Sequence, residues 1–353
     1  MFNRLIFATL VMGLAFVGAG CITVNGGATQ TADGGVWKST DRGDTWQQKV
    51  AMPTTTGQKA SIGGVSVAAI AQDPSDANAI YLGTAENGLY YSYDGGGSWF
   101  QPAQLNRGRV PAVAVDPKDK CRVYAAAENK LLKTEDCSRT WAVTYLDTRT
   151  ERQTVAVLVD HFNPSIIWIA NDAGEVLQSK DGGASWASLH AFKSTVVKLV
   201  MSPTDSRRVY VATKGAGVWR TDDGGENFTD LAEKYSSITG AKDLYDLVVS
   251  VSAPDTLILA AKAGLLRTTD AGEKWEQLNL LTPAGGAVIY SVAVDPKDAN
   301  VIYYGTVTAF YKTLNGGVNW APKKLPTSRV ATQLLADRAN PGVIYMGVTK
   351  LKQ

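Results

Sequence analysis

The sequence predicts an all-β fold: a single seven-bladed β-propeller of four-stranded blades, closed by strands from both termini. Three observations carry that expectation. A polar phrase ending in an aromatic residue recurs seven times. A second phrase, two short apolar strands around a proline-marked turn, recurs between the copies. The fragments at the two ends of the repeating region complete one another.

The first phrase appears as STDRGDTW over residues 39–46. It returns as SYDGGGSW, TEDCSRTW, SKDGGASW, TDDGGENF, TTDAGEKW and TLNGGVNW. Its acidic positions are Asp41, Asp94, Asp136, Asp181, Asp223, Asp270 and, altered, Asn315, at intervals of 53, 42, 45, 42, 47 and 45 residues. A period in this range marks a repeat architecture. The aspartate can accept backbone N–H bonds from the turn that follows it, and the glycine supplies positive φ at little steric cost. The closing aromatics (Trp46, Trp99, Trp141, Trp186, Phe228, Trp275 and Trp320) can wedge between neighbouring sheets. Burying such a ring removes about 150–250 Å² from water. The phrase therefore reads as architecture rather than chemistry.

The second phrase includes VAAIAQDPSDANAIYLGTA, VAVDPKDKCRVYAAA and LVMSPTDSRRVYVAT. Proline with Asp or Asn presets such a turn and ends strand pairing. A glycine-containing turn and a third strand (GLYYS, GVWRT, GLLRT) lead into the next polar phrase. Each unit is thus a four-stranded meander, whose faces are buried only when units stack in a ring. A third strand and polar phrase at 34–50 have no first and second strands before them. The strands at 330–348 have no polar phrase after them. Joined, they make the seventh blade.

With 35 basic and 33 acidic residues the net charge is +2, so no long-range field selects nucleic acid or an anionic surface. Arg4, the apolar run Leu5 to Val17 and the small residues Gly18, Ala19 and Gly20 before Cys21 follow the order of an export signal. The expected organisation is a signal peptide at 1–20, lipidation at Cys21, a flexible tether over 21–35, and a propeller over 36–353. The protein is then exported and lipid-anchored to the cell envelope, touching the membrane only through that anchor. In an oxidising compartment Cys121 and Cys137 are expected to pair. One precedes a strand and the other follows the next strand and its turn, so an antiparallel pair brings them together.

The pattern S/T-x-D-x-G-x-S/T-W resembles the Asp-box, or BNR, repeat of sialidases, sortilin-type receptors, xyloglucanases and the photosystem II assembly-factor family. Phe228 and Asn315 depart from it. In length, single ring and export, the chain is most similar to the assembly-factor type. That resemblance implies a binding platform whose functional face lies opposite the boxes, on loops bearing Arg107, Arg109, Arg149, Arg152, Glu86, Glu128, Asp172 and Lys193. The four arginines are the expected contacts for carboxylates of a protein or glycan partner, although Asp147 and Glu151 are interleaved with them and a self-paired rim is the competing reading.

The expected function is a non-catalytic, monomeric binding scaffold; the alternative is a glycan-processing hydrolase of the sialidase-like type. Arg109-Val110-Pro111 only faintly echoes the Arg-Ile-Pro phrase of sialidases, and xyloglucanases join two propellers. His161 and His190 fall on opposite rims, which disfavours a shared metal or triad. Box glycine pairs precede strands rather than helices, so they are not phosphate loops. No catalytic residue, cofactor or metal is expected.

Overall fold

The computed structural model describes residues 32–55, 59–283 and 285–351, so the expected signal peptide, the expected lipidation at Cys21 and the expected tether up to residue 31 lie outside the described residues. Seven sheets form a closed ring. Blade 1 holds Val67–Gln72, Ile80–Thr84 and Leu89–Ser92. Blades 2 to 6 begin at Ala112–Asp116, Thr154–Val159, Val196–Met201, Leu244–Val249 and Ser291–Asp295. Each continues outward through three further antiparallel strands. Blade 7 takes its two inner strands, Val330–Ala336 and Ile344–Thr349, from the C-terminal region. Its outer two, Gly35–Ser39 and Gln47–Lys49, come from the N-terminal region. Gly35 to Ser39 pair in continuous register with Val348 to Ile344. The seventh blade is therefore closed by strands from both ends. Each inner strand contacts the next, and that of blade 7 contacts that of blade 1.

The second strands are the apolar heart of each blade. Ile80–Thr84, Ile167–Asn171, Val209–Thr213 and Leu257–Ala261 are buried at every position. A strand with neighbours on both faces reads as a continuous apolar run instead of an alternating one. The outermost strands vary. In blades 4 and 5 they shrink to Thr229–Asp230 and Glu276–Gln277. In blade 1 only Phe100 bridges to Tyr91, because Pro102 follows and cannot donate to a ladder.

All seven boxes share one geometry, in the turn between third and fourth strands. The buried Ser or Thr hydroxyl (Ser39, Ser92, Thr134, Ser179, Thr221, Thr268, Thr313) donates to Oδ1 of the box aspartate, or of Asn315. The same hydroxyl accepts the N–H of the residue four places on. Oδ1 in turn accepts the N–H four places beyond the aspartate. The amide oxygen of Asn315 makes both contacts, which explains why the altered box keeps the shape. Each box also donates a backbone N–H to the proline-marked turn of its own blade, as from Gly95 to Asn78 and from Gly182 to Ser165. Boxes and proline turns thus share one face. In blade 2 the equivalent positions are Cys137 and Cys121, joined by a disulfide as well as by that hydrogen bond. Cys137 and Ser138 there adopt positive φ without being glycine, a conformation that costs an L residue free energy and that a tie can hold.

The box aromatics pack against the preceding blade. Trp99, Trp186 and Trp320 donate their indole N–H to the carbonyls of Lys49, Thr144 and Asn279. Trp46 meets Phe310 edge-on at 5.2 Å. Trp141 is buried, and Trp275 donates to Gly272 within its own box. Phe228 stands against Phe192 at 5.1 Å, so its apolar contact survives without an N–H to satisfy.

Candidate partner-binding face

The face opposite the boxes is built from the loops between second and third strands and from those joining one blade to the next. At its centre opens a channel of ≈ 680 Å³ lined by the inner strands. Most of the lining is Ala, Val, Ile and Leu, because residues on inner strands need small or branched side chains to converge on an axis. The polar exceptions are few. Lys198 of blade 4 and Asp246 of blade 5 form an ion pair at 2.6 Å, and the second oxygen of Asp246 accepts the Val292 N–H. Tyr245 and Tyr290 lie 6.5 Å apart between ring centres. Arg109 and Asp172 reach the channel from the loops, as does Arg338 from the proline turn of blade 7.

The four predicted arginines divide. Arg149 is neutralised: it grips both oxygens of Asp147 at 2.8 Å and reaches Glu175 at 2.6 Å. Hydrogen bonds from Arg149 outweigh burial and hold the carboxyls of Asp147 and Glu175 below their ordinary values. Asp147 also accepts the Arg149 backbone N–H, so the loop folds around this pair. Arg152 lies 3.8 Å from Glu151, and its buried Nε has no hydrogen-bond partner. By contrast, Arg107 and Arg109 are exposed, and no ion pair engages either among the described residues. Their loop is shaped by backbone bonds from Gly88 to Gly108 and from Gly108 to Glu86. Gly88 is required here, because a Cβ would sit 2.0 Å from the Leu105 carbonyl oxygen and φ is +73°. Glu128 pairs with Lys130 at 3.5 Å, and Asp172 accepts the Gln153 N–H. Lys193 sits at positive φ in the next loop.

A retaining or inverting glycosidase needs two carboxylates about 5–10 Å apart around a bound sugar. The carboxylates lining the channel are Asp172 and Asp246, and both already hold partners. His161 and His190 belong to opposite ends of blade 3, in the proline turn and at the end of the outer strand. Among the described residues no group of three or more His, Cys, Asp or Glu side chains is placed to hold a metal. None of their helices is long and apolar enough to cross a membrane.

Sequence reasoning missed two features. The residue just before each box's Ser or Thr ties its blade to the next. Lys38, Lys133, Gln178, Arg220 and Arg267 donate to the carbonyls of Gly95, Gly182, Gly224, Ala271 and Gly316. Lys312 reaches Asp44 instead. In blade 1, where that position is Tyr91, the hydroxyl of Tyr93 donates to the Cys137 carbonyl. The signal was present as a long polar residue one place before six of the seven boxes. The second feature concerns residues 32–35, expected in the tether. They are held: Gly35 opens a strand, and Asp33 accepts bonds from Thr327, Ser328 and Arg329.

Comparison with known proteins agrees with the geometry. The family model for the photosynthesis system II assembly factor YCF48 matches residues 194–349, less than half of the chain. Two curated relatives are xyloglucanases. One from Paenibacillus is 23% identical over 82% of this chain and 30% of its own length. The other, from Hypocrea jecorina, is 24% identical over 87% of this chain and 40% of its own length. The chain therefore spans well under half of the curated relatives it matches. Among solved structures, YCF48 bound to D1 peptide superimposes with a TM-score of 0.62 at 16% identity, over 86% of this chain and 96% of that one. YCF48 from Cyanidioschyzon merolae gives 0.64 at 14% identity, over 88% and 98%. The GH74 xyloglucanase from Xanthomonas campestris gives 0.66 at 17% identity, over 86% of this chain and 52% of that one. Repeats, ring and likenesses together identify the chain as a BNR-type seven-bladed propeller, similar over residues 194–349 to the photosystem II assembly-factor family.

Proposed function

We propose that this protein is a non-catalytic binding scaffold that engages a protein partner on the face opposite its Asp-boxes and is tethered to the cell envelope through lipidated Cys21. One observation carries the binding site. Arg109 stands at the channel mouth and Arg107 on the same loop, both exposed and in no ion pair among the described residues, whereas Arg149 is consumed by Asp147 and Glu175. Two free guanidinium forks on one loop suit carboxylates of a partner segment. YCF48 bound to D1 peptide shows that a similar single ring takes a peptide, which supports the protein-partner reading.

The test is crosslinking in native membranes followed by mass spectrometry. A recurrent partner is expected, and the double variant R107E/R109E should lower its recovery about tenfold, since reversing charge at a complementary interface costs on the order of 1–3 kcal/mol. Unchanged recovery would remove the arginines from the site.

A second reading, glycan hydrolysis, is favoured by the likeness to xyloglucanases. Asp172 and Asp246 would then have to serve as acid and base. Release of reducing ends from xyloglucan that is abolished by D246N would establish it.

A further inference from the structure

The axial channel changes chemistry along its length. Each inner strand runs from the loop face to a proline turn on the box face, and seven residues of strand rise about 20 Å. Apart from Arg338, every polar residue of the lining belongs to a loop or to the first four residues of an inner strand, as Asp172, Lys198, Asp246 and Gln333 do. The box-side half is walled by apolar side chains such as Ile70, Val200, Val249, Val294 and Leu335. At its end stands a single cation, Arg338, two residues beyond the inner strand of blade 7.

Arg338 is an exception among the seven turns. In blades 1, 2, 4 and 6 the residue after the first Asp or Ser of the turn is Pro74, Pro117, Pro203 or Pro296, and in blades 3 and 5 it is His161 or Val251. Of these seven positions only Arg338 lines the channel. Its backbone is fixed, because its N–H donates to Gln72 Oε1 at 3.0 Å, while Gln72 Nε2 donates to Asp337 Oδ2 at 2.9 Å. The other oxygen of Asp337 accepts the Ala339 and Asn340 N–H groups. The Arg338 guanidinium is open to the channel, and no hydrogen bond or ion pair holds it among the described residues. The protein crowding it pulls its pKa below the ordinary value, and the attraction of Asp73 only partly offsets this. Asp73 is itself buried, with Oδ1 committed to Ser75 and Asp76, and it makes no ion pair with Arg338. A cation poorly supplied with water and lacking a contact partner gains from any anion delivered to it.

We infer that the box-side half of the channel is a binding site for a small amphiphilic carboxylate, its head on the Arg338 guanidinium and its unbranched apolar body along the inner strands. The channel's ≈ 680 Å³ is within the range of small-molecule sites, which are mostly apolar with a few fixed polar groups. The planar fork of arginine matches a carboxylate. This site is separate from Arg107 and Arg109, so it stands or falls independently of the partner-binding face.

Titration calorimetry of the full chain with hexanoate, octanoate and decanoate, each below its micellar concentration, tests the assignment. Affinity should rise about fourfold per added methylene, the gain from burying one CH₂ group. Arg338→Gln should weaken decanoate about tenfold and leave decan-1-ol, with the same chain and no charge, unaffected. Arg338→Lys should keep part of the affinity, since it holds the charge without the fork. Arg207→Gln, which alters an exposed arginine of the same face, should bind decanoate as the parent does. Because the Arg338 side chain makes no bond, these variants should melt with the parent. Decanoate that does not bind the parent, or that binds the parent and Arg338→Gln alike, would overturn the site. Acetate or inorganic phosphate bound as tightly as decanoate would overturn the ligand class. A loss seen in Arg109→Gln and absent from Arg338→Gln would place the carboxylate at the loop mouth and overturn the orientation.

Discussion

Single residues set the box, and the acceptor matters more than its charge. Asp41, Asp136 and Asp181 are held at about 2, first by hydrogen bonds from Thr45, Thr140 and Ser185. At Asp94 burial opposes the shift, yet bonds from Ser98 and Ser92 still bring the carboxyl below its ordinary value. A folded-state value below the unfolded one of about 3.9 means that stability is fully present above that pH and is lost as pH falls through the folded value. The melting temperature should therefore be flat above about pH 5 and fall between about pH 4 and pH 2. Asn315 accepts the same two hydrogen bonds, from the Thr313 hydroxyl and the Asn319 N–H, without titrating. Replacing Asp41, Asp136 and Asp181 with Asn should accordingly flatten the acid limb of a melting-temperature profile while leaving the neutral fold intact. An acid limb of unchanged steepness in that triple variant would assign the loss to other carboxylates, with Asp33 the first to examine.

At the scale of elements, sheets were easier to read than the contacts between them. The paired apolar strands, the proline turns and the box spacing were all local, so strand order within blades 2 to 6 was legible. The shortened outer strand of blade 1 was not, because a tyrosine–phenylalanine bridge and a following proline look much like any strand end. The ties between blades went unread for another reason. Lys38, Gln178 and Arg267 share length and a donor but not identity, and their acceptors are carbonyls, which leave no trace in side-chain patterning. The tie can be weighed directly. Arg267 is mostly covered, donates to Gly316 at 3.0 Å and pairs with Glu276 at 2.6 Å. Removing it leaves a carbonyl poorly satisfied and strips packing from the stem. Arg267→Ala should cost about 1–2 kcal/mol in denaturant unfolding. Arg267→Lys should recover part of this, since Lys38 and Lys133 make the same tie. Arg207→Ala, which breaks an exposed pair with Asp205, should stay within about 0.5 kcal/mol of the parent.

At the scale of the whole molecule, closure is the organising fact, and it was legible because two incomplete units at the ends of one periodic pattern can only complete each other. The arginine site was less so: sequence placed four arginines on one face, but whether each is free depends on neighbours such as Glu175, distant in sequence and supplied by the next blade. Ring closure makes every blade lean on two neighbours, so the joint between the terminal strands bears on the whole. Trp99 shows this, since it is fully buried in blade 1 and donates to Lys49 in blade 7. Gly35 already pairs with Val348 as the two arms of a hairpin would. Covalently joining residue 351 to residue 32 through a short Gly/Ser linker, and opening the chain between Gly285 and Gly286, moves the ends without removing a strand or a tie between blades. Exposed loop tips tolerate such cuts. The permuted protein should give the parent's circular dichroism and melt within a few degrees of it, and its unfolding should remain a single transition. If it instead populates a partly folded state, the pairing of the two ends in blade 7 contributes something that adjacency alone does not, and the ring must close through that sheet last.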